Sequence, residues 1–168
     1  METRDLILSK ARFEDWADMY RNVWSRPETA RYMLWQVTTS EEEAKARMER
    51  TIAWQRGHDV WTVYEKSSGQ AIGWAGLAEL SPGVWQETSI ALGPDFVGRG
   101  YGRQILELLM DIALNRGGTE FRCSTRSENA ASKALIASCG LALLGTEEKT
   151  DQRDGSAYQL NIYSKKIY

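Results

Sequence analysis

Residues 85–125 restrict the fold more than any other part of the chain. Trp85 to Leu92 is a strand-forming run. It leads into the glycine-rich stretch Gly93 to Gly102, then a long amphipathic segment, then a second strand-forming run, Glu120 to Thr125. From Arg103 to Asn115 the polar residues Arg103, Gln104, Glu107, Asp111 and Asn115 fall on one narrow face, with apolar residues between them. That period predicts a helix lying flat on a sheet with one edge in water. Gly117-Gly118 ends it. A strand that returns through a helix to a second strand needs a crossover, so part of the sheet is expected to be parallel.

The flanking regions supply the other elements. Upstream, Asp5 to Ser9 suits a first strand. Phe13, Trp16, Ala17, Met19, Tyr20 and Val23 recur at helical spacing. Ser40 with Glu43 forms a capping box that opens a second helix, about Ser40 to Gln55. Asp59 to Glu65, Ala71 to Leu80 and Trp85 to Leu92 form an antiparallel meander, turning at Ser67-Ser68-Gly69 and Ser81-Pro82-Gly83. Downstream, Asn129 to Cys139 is a short helix stopped by Gly140. Leu141 to Glu147 and Ala157 to Ser164 are two strands around the polar turn Asp151 to Gly155. The order β-α-α-β-β-β-α-β-α-β-β predicts an α/β fold: a mixed, mostly antiparallel sheet of about seven strands with about four helices.

The chain has 168 residues, 42% hydrophobic and 26% charged, with a net charge of −2 and no Pro/Gly linker. One domain over 1–168 is expected, without disorder or a disulfide framework. That charge does not suit a general nucleic-acid binder. Cys123, Cys139 and His58 are too few for a metal cluster. Residues 1–10 have no apolar core of a signal peptide, and the stretch Ile105 to Leu114 is too short and too charged to span a bilayer. A cytoplasmic protein with reduced thiols is expected, with no nucleic-acid or membrane partner.

Gly98-Arg99-Gly100-Tyr101-Gly102-Arg103 is the densest chemical signal. Glycines let a backbone approach a ligand closely and adopt positive φ. The free N–H groups of a helix start attract phosphate, and Arg99 and Arg103 add charged donors. A Walker loop has the spacing Gly93 to Gly98, but Arg99-Gly100 replaces its Lys-Ser/Thr pair. A Rossmann turn matches Gly98 and Gly100, but has Arg103 at the third glycine. The pyrophosphate of coenzyme A and a plain tight turn are the other readings.

Ser89 to Arg103, SIALGPDFVGRGYGR, resembles motif A of the GNAT N-acetyltransferases, Q/R-x-x-G-x-G/A, with Gly100-Tyr101-Gly102 as its glycine half and Val97 in the Gln/Arg place. Asn129-Ala130-Ala131-Ser132 with Gly140-Leu141 resembles motif B, with Leu141 standing for Phe. The element order is also similar to that of the family. The run Arg31 to Trp54 resembles the branch that contains the ribosomal-protein alanine and serine N-acetyltransferases.

The resemblance implies transfer of acetyl from acetyl-CoA to a primary amine, on a protein N-terminus or a small molecule, by direct attack in a ternary complex. It implies that the backbone of Ile90, Ala91 and Leu92 pairs with the pantetheine arm and polarises the thioester carbonyl. The amides of Gly98, Arg99, Gly100, Tyr101, Gly102 and Arg103 would hold the pyrophosphate, and Asn129 would meet the cofactor. Deprotonating the amine calls for a carboxylate, with Glu87 first and Glu79 second. Seven residues after the motif B Asn, where many relatives carry a Tyr donor, stands Ile136, so Ser132 is the expected donor to the thiolate. Cys139 is expected to be a small hydrophobe at a helix end. A catalytically inactive acyl-CoA-binding module is the alternative. A homodimer is an arrangement common among relatives. Trp54, Trp61 and Trp74 are expected in the core, Trp24, Trp35 and Trp85 in loops or at element ends. Tyr32 and Trp35 line the acceptor site or pack as ordinary contacts. His58 is read as a turn residue.

Overall fold

The computed structural model describes residues 1–168. Its strands are β1 (Leu6–Ser9), β2 (Val60–Glu65), β3 (Ala71–Ser81), β4 (Val84–Leu92), β5 (Glu120–Arg126), β6 (Ala142–Thr150) and β7 (Ala157–Lys166). Its α-helices are α1 (Trp16–Met19), α2 (Pro27–Ala30), α3 (Glu41–Gly57), α4 (Tyr101–Asn115) and α5 (Ala130–Ser138). The seven strands form one sheet in the order β1-β2-β3-β4-β5-β7-β6. β4 and β5 are parallel, as the crossover through α4 requires, while β1 with β2, β2 with β3, β5 with β7 and β6 with β7 are antiparallel. The β4–β5 ladder is short. It runs from Val84↔Glu120 to Gln86↔Arg122. No helix is long and apolar enough to cross a membrane.

The helices number five rather than four, because Pro27 occupies the first turn of a separate short helix, where its missing N–H costs nothing. The first helical stretch is also irregular. A 3₁₀ turn (Phe13–Asp15) precedes α1, and a π turn (Tyr20–Trp24) follows it, closed by Ser25 N–H on the Tyr20 carbonyl at 3.1 Å. The cap of α3 is close to expectation. Ser40 Oγ accepts from Glu43 N–H at 3.1 Å, but the Glu43 carboxylate reaches back one residue further, to Thr39 N–H at 2.8 Å. Gly117, at φ +83°, and the Gly118 N–H to Ala113 carbonyl bond close α4.

Two compact units divide the chain: residues 1–76 with 89–105, and residues 77–88 with 106–168. The first has a core of Met19, Val23, Trp24, Ala44, Met48, Tyr64 and Ala71, with Trp16, Tyr20, Ile52 and Trp74 packed against it. Trp61 is buried, as expected, and Trp74 is half-buried. Trp54 is not in the core: it is 57% exposed and stacks on His58 with centroids 3.4 Å apart. Helix phase is the cause. Ala44 and Met48 set the buried face of α3, and at about 100° per residue Gln55 returns to it whereas Trp54 stands about 100° away. Gln55 is satisfied there, accepting from Ala11 N–H and donating to Thr62 Oγ1. Trp24 and Trp85, expected in loops or at element ends, are buried. In the second unit, Leu106, Leu109, Met110 and Ala113 of α4 are buried and Asp111 and Asn115 face water.

Candidate active site

β4 passes through both units. Its last residues, Ile90, Ala91 and Leu92, belong to the first unit, where Gly73 supports them. A Cβ on Gly73 would stand 2.0 Å from the Ala91 carbonyl oxygen, so only glycine permits this approach. Gly93 is equally enclosed: a Cβ there would meet the Asn22 carbonyl oxygen at 2.2 Å. Asn22 in turn donates to the Ala71 carbonyl at 3.0 Å, and Gly93 N–H bonds to the Ile72 carbonyl at 2.8 Å. The chain therefore leaves β4 in one fixed place.

The glycine-rich turn begins immediately after. Gly98 and Gly100 have φ of +75° and +78°, a region L side chains rarely adopt. Both face open space, with nothing within 4 Å of a Cβ. The first intrahelical bond of α4 runs from Gln104 N–H to the Gly100 carbonyl, so the amides of Tyr101, Gly102 and Arg103 precede it. These backbone N–H groups stand at the positive end of a 15-residue helix, a place where negative charge is favoured.

The Arg99 and Tyr101 side chains are engaged within the protein. Arg99 donates to Glu65 Oε1 at 3.0 Å and to the Asp95 carbonyl at 2.8 Å, and its guanidinium lies over the Phe96 ring. Tyr101 Oη donates to the same Glu65 Oε1 at 2.7 Å. The Arg99 guanidinium, expected as a phosphate donor, is thus bound to a buried carboxylate. These bonds use part of its donor fork and balance its charge within the protein.

Glu87 belongs to the second unit, on β4 just beyond the β4–β5 ladder. Its side chain keeps some exposure, yet protein surrounds it, and burial alone pushes its carboxyl up to about 8. Its charge is felt by Cys123 on β5, whose thiol is raised by burial first and by the Glu87 charge second. Glu79, the second candidate base, has a structural task. Its Oε1 accepts from Gly83 N–H at 3.0 Å and ties the β3–β4 turn. Asn129 caps α5, its Oδ1 accepting from Ser132 N–H at 3.1 Å. That bond leaves the Asn129 amide nitrogen and the half-buried Ser132 hydroxyl for other partners. Ile136 is buried, and so is Cys139, at the end of the same helix as expected.

Aromatic rings line the first unit near β4. Trp74 Nε1 donates to Ser89 Oγ at 3.0 Å, and Trp35 packs on Trp74 with centroids 5.8 Å apart. Arg47 lies over both Trp35 (4.4 Å) and Trp24 (4.8 Å) and donates to Thr38 Oγ1; burial pushes its guanidinium down to about 10. Tyr32 carries the Arg31 guanidinium over its ring, 5.1 Å from the centroid. Sequence reasoning missed Glu65 and Arg47. Their partners lie tens of residues away or on another element, and no local pattern announces them.

Residues 5–142 match the family model described as the acetyltransferase (GNAT) domain. N-alpha-acetyltransferase RimI of Mycobacterium tuberculosis is 32% identical over 107 residues, which cover 62% of this chain and 64% of that protein. Less than two thirds of that relative is therefore spanned. The microcin C7 self-immunity acetyltransferase MccE, solved with acetyl-CoA and AMP, superposes with a TM-score of 0.83 at 18% identity, covering 98% of this chain and 94% of its own. An acetyltransferase from Salmonella typhimurium, described as modifying the N-terminal serine of the 50S ribosomal subunit protein L7/L12, gives a TM-score of 0.79 at 21% identity, over 99% and 97% of the two chains. Fold likeness, element order and a family match over most of the chain agree, and the chain belongs to the GNAT acetyltransferase domain family.

Proposed function

We propose that this protein is an N-acetyltransferase that moves acetyl from acetyl-CoA to the α-amine of a protein N-terminus, by direct attack in a ternary complex. The observation that carries the cofactor half is the amide cradle of Gly98 to Arg103, with two positive-φ glycines facing open space before a long helix. Such a cradle fits a pyrophosphate without a metal-binding hydroxyl or a phosphate lysine. MccE, with a closely similar fold, is solved with acetyl-CoA. The acceptor half rests on the relative named as an α-amine acetyltransferase.

In this reading the amides of Gly98, Arg99, Gly100, Tyr101, Gly102 and Arg103 hold the pyrophosphate, and the backbone of Ile90, Ala91 and Leu92 pairs with the pantetheine arm; Asn129 meets the pantetheine or the adenosine side of the cofactor. The bound thioester supplies an activated acyl group. A backbone N–H of β4 aimed at its carbonyl oxygen stabilises the charge that develops there. The acceptor arrives as an ammonium and must lose a proton. Glu87, poised near 8 by burial, accepts it directly or through water. The Ser132 hydroxyl passes to the departing thiolate the second proton that the attacking nitrogen loses as the amide forms, so that the serine ends as a hydroxyl. Trp35, Trp74 and Tyr32 form the wall against which the acceptor lies. A cytoplasmic location accompanies this reading.

Thermal unfolding with acetyl-CoA, and with ATP and NAD as controls, tests the cofactor. Release of CoA in the presence of N-terminal peptides, against small amines, tests the acceptor. A rise in melting temperature with acetyl-CoA alone, followed by peptide-dependent CoA release, is the expected result. No shift at millimolar acetyl-CoA refutes the reading. A shift without turnover on any amine leaves an acyl-CoA-binding module.

A further inference from the structure

We propose that Glu65 is a positioning residue for the glycine-rich turn: one buried carboxylate at the end of β2 grips the side chains on both sides of Gly100 and so holds the amide cradle in its anion-binding shape. The inference rests on the cofactor reading above. Glu65 is 4% exposed and uses both oxygens. Oε1 accepts from Arg99 Nη1 at 3.0 Å and from Tyr101 Oη at 2.7 Å, and Oε2 accepts from Ser68 Oγ at 2.7 Å. The Ser68 and Tyr101 bonds, and the Arg99 charge after them, hold the carboxyl below its ordinary range. It is therefore ionised at neutral pH, and its bonds to Arg99 and Tyr101 are charge-assisted.

The geometry explains why such a grip is useful. Gly98 and Gly100 are the most permissive residues in the turn, and neither has a neighbour within 4 Å of a Cβ position. Backbone freedom of this kind disperses the N–H groups unless something else fixes them. Arg99 and Tyr101 flank Gly100, and a single oxygen fixes both. The far side of the turn is fastened separately. Arg99 Nη2 donates to the Asp95 carbonyl, and Asp95 pairs with Arg26 at 2.8 Å. Glu65 itself is held by the β2–β3 turn, where its N–H bonds to the Gln70 carbonyl and its carbonyl accepts from Gly69 N–H. The cradle is thus pre-shaped by the first unit before any ligand arrives, and the Arg99 charge is neutralised by the protein rather than offered to phosphate.

The test is binding of CoA by calorimetry and of pantetheine, which lacks the pyrophosphate, by NMR titration. Both use the full chain as wild type, Glu65→Ala and Glu65→Gln, each first checked for a cooperative melt without ligand. Glu65→Ala is expected to weaken CoA roughly tenfold or more and to leave pantetheine unchanged. Glu65→Gln keeps one acceptor oxygen for Arg99 and Tyr101 and turns a donor amide towards Ser68 Oγ, so it is expected to recover part of the loss. It also stands as the test variant if Glu65→Ala does not fold. Unchanged or tighter CoA binding overturns the proposal, the latter because a released Arg99 would then be the better phosphate ligand. Equal losses for CoA and pantetheine overturn it too, since they mark a general structural role. Wild type that binds no CoA refutes the cofactor reading itself, a result distinct from any difference between variants.

Discussion

Replacing Glu87 by Gln keeps the side chain's shape and removes the charge that the fold makes costly. Burial raises this carboxyl from 4.5 to about 8, so ionising it in the folded state costs at most about 5 kcal/mol more than in the unfolded chain. The sign follows from the proton count. Between pH 4.5 and 8 the folded protein binds a proton that the unfolded chain has lost, so this group's contribution falls as pH rises and levels off above 8. From pH 6 to pH 9 the wild type is expected to lose about 3 kcal/mol that Glu87→Gln keeps. At roughly 2–4 °C per kcal/mol for a domain of this size, the melting temperature of the variant should gain on wild type by on the order of 8 °C over that range. Activity should move the other way. At pH 7 only about one wild-type molecule in ten carries the carboxylate, so the rate should climb towards pH 8 and above, and Glu87→Gln should lower kcat about 100-fold or more. An α-amino acceptor titrates in the same range, so the rate profile alone does not assign the inflection. The melting series contains no acceptor and does. Melting temperatures that run parallel from pH 6 to pH 9 refute the desolvated carboxylate, and with it the argument for Glu87 as a tuned base.

Glycine substitutions separate strain from collision. Gly100→Ala forces a side chain into φ +78° with free space around it, so it should cost about 1 kcal/mol of stability in chemical denaturation and weaken CoA binding more than that loss suggests. Gly73→Ala drives a methyl group to 2.0 Å from the Ala91 carbonyl oxygen and should destabilise by about 3 kcal/mol or more, or prevent folding, as circular dichroism melts will show. Asp151 is held well below its ordinary range by Arg153 and Arg126. Its contribution is complete above the unfolded value of 3.8 and lost as pH falls below it, so Asp151→Asn should lower the melting temperature at pH 7 and converge on wild type in strong acid. Cys123, 1% exposed and raised by burial, should resist thiol reagents in native protein and react on unfolding.

What could be read along the chain was what local physics decides. The polar edge of α4, the Ser40 cap, and the turns at Gly69, Gly83, Gly117 and Gly140 each depend on residues within a few positions, and all stand where the pattern puts them. The parallel β4–β5 pair followed from connectivity, which is also local in origin. Trp54 failed for a different reason. An amphipathic period says which residues share a face, but a helix with Ala44, Met48 and Gln55 on one side buries a glutamine because Ala11 and Thr62 await it there, forty-four and seven residues away in sequence. No count of apolar residues contains that information.

The glycine-rich turn joins both kinds of knowledge. Its glycines and the helix behind it are readable because positive φ and the N–H groups of a helix start are backbone properties. The duty of its arginine is not, because it depends on Glu65, thirty-four residues earlier and brought to Arg99 by the fold. An arginine beside a phosphate-shaped loop suggests a phosphate ligand only while its charge is unopposed. Here a carboxylate with 6% side-chain exposure already opposes it. In the proposed function, an ion pair that neutralises the side chain shifts the burden of anion binding to the amides. The affinity of the turn then depends on the rigidity of the backbone more than on the charge of Arg99. If so, added salt should weaken CoA binding at this turn less than it weakens binding through free arginines, since surface charges are screened and short amide hydrogen bonds are not. A steep fall in CoA affinity between 50 and 500 mM salt, matched by Arg99→Ala in low salt, would return the arginine to the phosphate and reverse the argument.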